Sequence, residues 1–417
     1  MEEVAEGYKE TKIGVIPEDW QAVKLSESVN LFGGFAFSSE DSKSEGVKWL
    51  KIANVGIDKI TWENESYLPF EYLEKYSNYA LSKNDIVMAL TRPILNSKLK
   101  ISKITDLDIP CLLNQRVGKL DPKQNTFGDY IYHSCKMPMF IHSMNVAMAG
   151  TDPPNIGFRD LSKIQIPLPP LPEQQKIAEI LSTWDNSIEN LENLISKKIE
   201  IKKGLMQNLL TGNVRFPGFE DEWKEVKIGS LLNEVKRKIE WDDSKLYDLV
   251  SLKRRSGGIF YRESLYGHQI LTKTLQPIKE DDFLISKMQV LHGALGAVSK
   301  EFEDMYVSSS YAIFNSKTPE KFNIKFFDWL SKTPIMYHYA YISSYGVHIE
   351  KMTFNLKLYL KEKVMVPNSI EEQESIVRVL STQDKEIELL KQKLELVKTQ
   401  KKGLMQNLLT GKVRVNV

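Results

Sequence analysis

KKGLMQNLLTG occurs twice in the chain, from Lys202 to Gly212 and again from Lys401 to Gly411. The two copies are identical and lie 199 residues apart, and the match extends to Arg215 and Arg414. Chance does not produce an identity of this length, so the chain contains an internal duplication. The alignment continues upstream without a gap for about forty residues, as a helix requires, because one inserted residue would rotate its apolar face by ~100°.

The apolar residues of both aligned segments follow a seven-residue repeat. This is a and d spacing, which favours the seam of a coiled coil. We predict two long helices that pack on each other. Polar residues interrupt the repeat at Lys198 in the first helix and at Gln383 in the second. The predicted seam residues are Ile177, Leu181, Trp184, Ile188, Leu191, Ile195, Ile376, Leu380, Ile387, Leu390, Leu394 and Val397.

Both helices carry recognisable ends. Ser369 with Glu372 three residues later predicts a capping box at the second helix. Pro172 stands in the first turn of the first helix, where its missing N–H costs nothing. Gly212 and Gly411 follow the last helical residues, in the position that favours a left-handed glycine.

The composition predicts a cytoplasmic protein. Apolar residues make up 42% and charged residues 27% of the 417 residues, as in ordinary globular proteins. Two cysteines cannot build a disulfide framework, which fits a reducing compartment. The acidic N-terminus lacks an apolar leader, and no run of about 18 apolar residues predicts a membrane span. A net charge of +1 neither indicates nor excludes nucleic-acid binding, which depends on local patches.

We divide the chain into four parts: a first globular domain (1–170), a first helix (171–212), a second globular domain (213–368) and a second helix (369–411). Trp20 and Trp223 stand at similar points of the two halves, so the duplication includes the globular domains. Each domain reads as mixed α and β. The predicted strands are 47–52, 86–90, 116–120, 246–252, 283–287, 294–298 and 311–314, and the predicted helices are 130–147 and 322–341.

The order of these features resembles a known family. A globular part is followed by IPLPPLPEQ (Ile166–Gln174) and by a long helix that ends in KGLMQNLLTG, and the whole pattern is repeated. This resembles the DNA-specificity subunit of type I restriction–modification systems, as does the turn-and-strand stretch Asn114–Gly118. The second half departs from the pattern, because PNSIEEQ replaces PLPPLPEQ and no NQRVG counterpart is visible near Ser308–Ser310.

The resemblance implies a specific architecture and function. The two globular parts would be target-recognition domains of α/β (α+β) class, each reading one half of a bipartite DNA sequence. The two helices would form an antiparallel coiled coil that separates them, with pseudo-two-fold symmetry. The partners would be double-stranded DNA, two methyltransferase subunits and a restriction/translocase subunit. The chain itself would catalyse nothing and would need no cofactor.

Candidate DNA contacts in the first domain lie near predicted strand ends. Arginine and lysine can bind phosphates or guanine, and asparagine or glutamine can bind adenine. The alternative for these residues is an ordinary solvated loop or a capped turn. The candidates are Arg92, Asn96, Lys98, Lys100, Asn114, Gln115, Arg116 and Asn155.

In the second domain a basic run precedes two glycines, which would let the backbone approach DNA closely. A solvated loop is again the alternative. The candidates are Lys253, Arg254, Arg255, Ser256 and Arg262, together with Tyr345 and His348 in a later loop.

Catalytic and metal sites find little support in the sequence. Thr151–Asn155 resembles the acidic-Pro-Pro-aromatic motif of amino-methyltransferases, but Asn155 cannot stack on a base. No glycine-rich loop follows a strand in a way that would hold S-adenosylmethionine. The spacings of Cys111, His133, Cys135 and His142 match no common zinc pattern. Besides DNA recognition, the sequence leaves open a protein-interaction scaffold that binds two copies of one partner without DNA.

Overall fold

The computed structural model describes residues 5–63, 65–346 and 352–417, which form two compact units. The first unit contains Met1–Glu192 and Lys393–Val417, and the second contains Asn193–Gln392. Each unit therefore holds one mixed α/β domain, the first half of the long helix that follows this domain, and the last half of the other long helix.

The elements of the first half of the chain are as follows. The strands are β1 (Tyr8–Thr11), β2 (Gly14–Pro17), β3 (Gln21–Lys24), β4 (Val29–Gly33), β5 (Val47–Leu50), β6 (Tyr67–Leu68), β7 (Ile86–Ala89), β8 (Ile94–Leu95), β9 (Lys98–Leu99), β10 (Ile101–Lys103), β11 (Cys111–Leu113), β12 (Val117–Pro122) and β13 (Gln165–Leu168). The helices are α1 (Leu25–Ser28), α2 (Tyr72–Lys75), α3 (Gly128–Ser134), α4 (Pro138–Ala147), α5 (Phe158–Leu161) and α6 (Leu171–Leu209).

A four-stranded antiparallel sheet in the order β10-β7-β12-β4 forms the centre of the first domain. A smaller sheet in the order β11-β5-β6 packs beside it, with β11 parallel to β5. Alternate residues of a strand point to opposite faces. Ile86 and Met88 of β7 accordingly pack in one core cluster with residues of α3 and α4, whereas Val87 and Ala89 pack in another with residues of β5 and β11.

The second half of the chain contributes the remaining elements. The strands are β14 (Lys224–Lys227), β15 (Leu232–Val235), β16 (Leu246–Leu252), β17 (Ile259–Tyr266), β18 (Leu275–Pro277), β19 (Phe283–Ser286), β20 (Leu295–Ala297), β21 (Tyr306–Ser308), β22 (Tyr311–Ser316), β23 (Ser344–Tyr345), β24 (Thr353–Phe354) and β25 (Lys363–Val366). The helices are α7 (Ile228–Leu231), α8 (Ile324–Ser331), α9 (Pro334–Ile342), α10 (Leu356–Tyr359) and α11 (Ile370–Leu409).

The second domain repeats the topology of the first. Its main sheet has the order β20-β19-β22-β15, and in its smaller sheet β21 runs parallel to β16. Phe283 and Ile285 of β19 share a core cluster with residues of α8, while Leu284 belongs to the cluster that contains residues of β16. The duplication therefore includes the domains, although their sequences have diverged.

The strands predicted from sequence correspond to β5, β7, β12, β16, β19, β20 and β22. The two predicted helices are wrong in one respect, because each is two helices. The segment 130–147 breaks before Pro138, and 322–341 breaks before Pro334. A residue that precedes proline is disfavoured in helical conformation. Met137 and Thr333 are accordingly extended, with ψ of 143° and 153°.

Helices α6 and α11 have 39 and 40 residues. All the predicted seam residues are buried or half-buried in the structure. Of the two polar interruptions, Lys198 forms an ion pair with Glu386 at 2.7 Å. The two long helices predicted from the repeated stretch are therefore confirmed.

Ion pairs show that the helices run antiparallel within each unit. In the first unit, residues that come later in α6 pair with residues that come earlier on the α11 side. The three pairs in this unit are Glu173–Arg414, Asp185–Lys401 and Glu192–Lys398. The second unit shows the same order in Lys198–Glu386, Lys202–Asp384 and Arg215–Glu372.

The ion pairs are reciprocal under the duplication. Asp185 and Lys202 correspond to Asp384 and Lys401, and each aspartate pairs with the lysine of the other helix. In the same way the buried Glu173 pairs with Arg414, and the buried Glu372 pairs with Arg215. A tryptophan N–H completes both carboxylate sites, from Trp20 at 2.9 Å and from Trp223 at 3.4 Å.

The predicted helix ends are confirmed in part. Gly212 and Gly411 have φ of +73° and +71°, in the left-handed region. A Cβ on Gly411 would also lie 2.4 Å from Pro17, so glycine is required there. The capping box is only half formed. Ser369 accepts from the backbone N–H of Glu372 at 3.3 Å, but the Glu372 carboxylate binds Arg215 instead of reaching back.

Candidate nucleic-acid interface

The edge of the first domain where β7 and β11 end brings three of the candidate residues together. The hydroxyl of Thr91 donates to the side-chain oxygen of Asn155 at 2.8 Å. The backbone N–H of Arg92 donates to the carbonyl of Pro154 at 2.7 Å, and that of Leu90 donates to the carbonyl of Arg116 at 3.0 Å. The exposed side chains of Arg92, Arg116 and Asn155 therefore start from backbone segments that are bonded to one another.

A short hairpin of β8 and β9 follows Arg92. Asn96 and Ser97 form its turn with φ of 49° and 59°, and Asn96 and Lys98 are exposed. Asparagine tolerates this left-handed backbone better than most residues, which gives Asn96 a structural role as well. Lys100 is different, because it is half-buried and its ammonium donates to the carbonyl of Ile52 at 2.9 Å. Burial lowers the pKa of Lys100.

The turn between β11 and β12 holds the next three candidates. Asn114 accepts from the backbone N–H of Arg116 at 3.1 Å through its side-chain oxygen, so it builds the turn. Gln115 donates its backbone N–H to Phe35 at 3.0 Å. Gly34 must be glycine, since a Cβ there would lie 2.2 Å from the carbonyl oxygen of Leu113. The side chains of Gln115 and Arg116 are exposed, and Asn114 is half-buried.

In the second domain the basic run forms the loop between β16 and β17. Arg255 and Ser256 have φ of 59° and 53°, and their N–H groups donate to the carbonyls of His292 and Gly293 at 2.6 and 2.9 Å. The Ser256 hydroxyl lies 2.8 Å from that of Tyr337. These bonds hold a strained backbone in one conformation, as is common at binding sites. The side chains that project from this loop into solvent are those of Lys253, Arg254 and Arg255.

Two arginines of this region have defined partners. The Nε of Arg254 donates to the side-chain oxygen of Gln289 at 2.8 Å, which orients the guanidinium. Arg262 lies within β17 and pairs with Glu263 at 2.5 Å, so it stands outside the loop. Tyr345 ends β23 with 56% of its surface exposed. His348 lies outside the described residues.

The shared topology identifies positions that the sequence prediction missed. Ser309 and Ser310 connect β21 to β22, as Asn114–Arg116 connect β11 to β12. Lys287 donates its backbone N–H to the carbonyl of Ser310 at 3.0 Å, as Leu90 does to Arg116. Lys287–Gln289 therefore correspond to the segment that carries Arg92. The sequence already shows that 82–87 resembles 278–284. Extending this alignment to the ends of β7 and β19 would have identified Lys287–Gln289 as the counterpart of the segment that carries Arg92.

The cysteines and the buried histidine serve the core. Cys111 and Cys135 are both fully buried and unpaired by a disulfide. Burial raises the pKa of the Cys111 thiol to about 12, so it is no thiolate nucleophile. His133 is buried beside Asp185, and burial lowers its pKa. Within the described part of the chain, no three His, Cys, Asp or Glu side chains are grouped to hold a metal.

None of the helices within residues 5–63, 65–346 and 352–417 combines the length and apolarity needed to cross a bilayer.

Comparison with known proteins identifies the family. The model of the type I restriction modification DNA specificity domain matches residues 17–201 and, again, 220–399. The matches cover most of the chain, once in each half, so the chain belongs to this family.

Curated relatives agree with this assignment. The chain is 42% identical over 210 residues to the type I restriction enzyme MjaVIII specificity subunit of Methanocaldococcus jannaschii, covering 50% of this chain and 49% of that one. It thus spans about half the length of that relative, and 30% of the Escherichia coli EcoAI specificity subunit, to which it is 33% identical. The putative MjaX specificity subunit of M. jannaschii is 25% identical over 98% of this chain and 97% of its own.

A solved structure shares the fold. The S subunit of a type I restriction–modification system from M. genitalium superposes with a TM-score of 0.60 at 16% identity, covering 94% of this chain and 96% of that one. The α/β fold with two long helices, predicted from the duplicated sequence, is thereby confirmed.

Proposed function

We propose that the chain is the DNA-recognition subunit of a type I restriction–modification complex and reads a bipartite target, one half-site with each domain. The observation that carries the proposal is the repeated edge of strand ends. It presents Arg92, Gln115 and Arg116 in the first domain and Lys253–Arg255 in the second. These side chains suit guanine, adenine and phosphate. Two diverged domains of one topology suit an asymmetric target.

The partners follow from the same proposal. Two equivalent units support the docking of two methyltransferase subunits, and a restriction/translocase subunit would complete the complex in the cytoplasm. The chain contributes recognition and no chemistry of its own. Methyl transfer then depends on the methyltransferase subunit and on its methyl donor.

The test is to produce the chain with its methyltransferase subunit in a host that lacks DNA methylation, and to map the modified bases. We expect one motif with two specified parts and an unspecified spacer. Omitting the chain should abolish the motif, whereas a scaffold that never touches DNA would leave it unchanged. Methylation by the chain alone would contradict the non-catalytic assignment.

A further inference from the structure

A basic groove lies at the edge of the second domain, next to the segments that contain Lys287 and Ser309. It encloses about 410 Å³ between the segment after β15, the segment before β18 and the turn between β21 and β22. Its lining includes Lys236, Lys238, Lys273 and Lys287, with the hydroxyls of Thr274 and Ser309. These residues belong to the second unit alone.

The charges in the groove are unevenly neutralised. Lys273 pairs with Asp243 at 2.8 Å, and Arg237 with the buried Asp282 at 2.5 Å. Within the part of the chain that the structure describes, Lys236, Lys238 and Lys287 have no carboxylate within ion-pair distance. The ammonium of Lys287 donates to the carbonyl of Ser309 at 3.0 Å, which aims it at the groove wall. Three exposed lysines therefore line one concavity, in which the exposed Glu234 supplies one opposing charge.

The aromatic residues of the groove are already engaged. One face of Trp241 stacks on Tyr247 with ring centres 5.1 Å apart and an angle of 14°, and Lys273 lies 5.5 Å from its ring centre. The hydroxyl of Tyr311 is bonded to Ser251 at 2.9 Å. A site that stacks single-stranded or extrahelical bases needs open aromatic faces. This groove offers lysine ammonium groups, which suit phosphate, beside the hydroxyls of Thr274 and Ser309, which are bonded to each other at 3.0 Å.

The groove is continuous with the candidate loop. Lys287 lies two residues before Gln289, whose side chain accepts from Arg254, and Ser251 is the last residue but one of β16, the strand that leads into the basic loop. We propose that the groove binds the sugar–phosphate backbone of duplex DNA through Lys236, Lys238 and Lys287, while the loop carrying Arg254 faces the bases. This inference rests on the proposed function and adds a backbone-binding site to it. Phosphate contacts fix register without reading sequence.

The test compares full-length K236Q/K238Q/K287Q with the parent, both assembled with the methyltransferase subunit of the host. Binding to a random-sequence duplex and to the mapped target is measured against salt. The slope of log K against log salt is negative, and loss of three phosphate contacts should make it shallower by about 2.7. Between 50 and 200 mM salt, the variant should therefore lose about 40-fold less affinity than the parent loses. The preferred sequence should stay the same.

The matched control is K224Q/K227Q, which changes two exposed lysines of β14 in the same unit. It should leave the slope unchanged. An unaltered slope in the triple variant would overturn the inference while leaving the proposed function intact. So would a changed preference at one base pair, which would assign these lysines to base reading. Failure of the parent to bind any duplex would overturn the proposed function and this inference with it.

Discussion

The same sheet position has opposite chemistry in the two domains. After β4 the chain continues into Phe35 and Phe37, whose rings pack together at 5.0 Å, and Phe35 also packs on Tyr76 at 4.6 Å. After β15 it continues into Lys236 and Lys238, which line an open groove. The backbone topology is common to both domains. A domain can therefore keep its fold while the residues beyond its strand ends change what it binds.

The two long helices differ from the domains in this respect, because the same ion pairs are present in both copies of the duplicated helix. The first prediction breaks these contacts and should have the largest effect. Replacing Arg215 with Met leaves Glu372, 1% exposed, without its cation, and replacing Arg414 with Met does the same to Glu173, 2% exposed. Removing the cation leaves a buried carboxylate unpaired, which is destabilising although both arginines are themselves partly exposed. Each variant should lower the unfolding free energy in denaturant titrations.

Hydrogen exchange distinguishes the two arginine variants. R215M should expose β14 and β25 in the second unit, and R414M should expose β3 and β13 in the first. The variant E372Q is the matched control, because it removes the charge and leaves Arg215 partly solvated. Equal loss of protection in both units from either variant would contradict the local role of each pair.

The second prediction concerns the strand-end edges of the two domains, which should each determine the base preference of a different half-site. Arg116→Ala should remove one specified position from the first half-site, and Arg254→Ala should remove one from the second. A bidentate arginine–guanine contact is worth about 1–3 kcal/mol of discrimination. Target selection from a random duplex library measures this effect for each variant.

Two further variants test how Arg254 is held and used. Gln289→Ala should weaken the same base position as Arg254→Ala, because Gln289 orients the guanidinium. The conservative variant Arg254→Lys should also lose this position, since an ammonium lacks the planar fork that binds a base edge through two bonds. Loss at both half-sites from one variant would contradict the one-domain, one-half-site assignment.

The third prediction uses the reciprocal ion pairs. A fragment of residues 1–215 contains Glu173, Asp185, Lys202 and Arg215, and two copies related by a two-fold axis can form four ion pairs again, two of each kind. Its apolar seam would otherwise be exposed. We expect a dimer in sedimentation. Asp185→Lys should weaken the dimer on the order of tenfold, because it sets two lysines against each other.

The control for the fragment is the double variant D185K/K202D, which reverses the pair. It should restore most of the lost affinity, since the charges across the dimer again complement each other, while Lys136 of the same domain loses Asp185 as a neighbour. A fragment that sediments as a monomer at high concentration would show that the two halves need the covalent connection.

The fourth prediction has the smallest effect and concerns Asn114. Its side chain closes the turn before Arg116, so Asn114→Ala should cost about 1 kcal/mol of stability, as loss of a single hydrogen bond does. It should leave the salt dependence of DNA binding unchanged. Lys98→Gln, exposed on the hairpin, is the matched comparison and should reduce the salt slope by about 0.9 if it contacts a phosphate. A reduced slope in N114A would show that Asn114 itself contacts DNA.

The sequence by itself determined the duplication, the two long helices and seven strands of the two domains. These features depend on local periodicity and on exact repetition, both of which can be read directly from the order of residues along the chain. It failed at Pro138 and Pro334, where apolar periodicity hid a helix break that local sterics impose. It also took Ser369 and Glu372 as a reciprocal cap, although Glu372 serves a partner 157 residues away.

Only the tertiary structure decided which polar side chains share a surface. In the structure Thr91 is hydrogen-bonded to Asn155, and Lys100 donates to a backbone carbonyl. Gln289 accepts from Arg254, and lysines from separate segments line one groove. Such residues have no characteristic spacing along the chain. They meet because strands that are distant in sequence end at the same edge of a sheet, and the order of strands in a sheet is set by long-range packing.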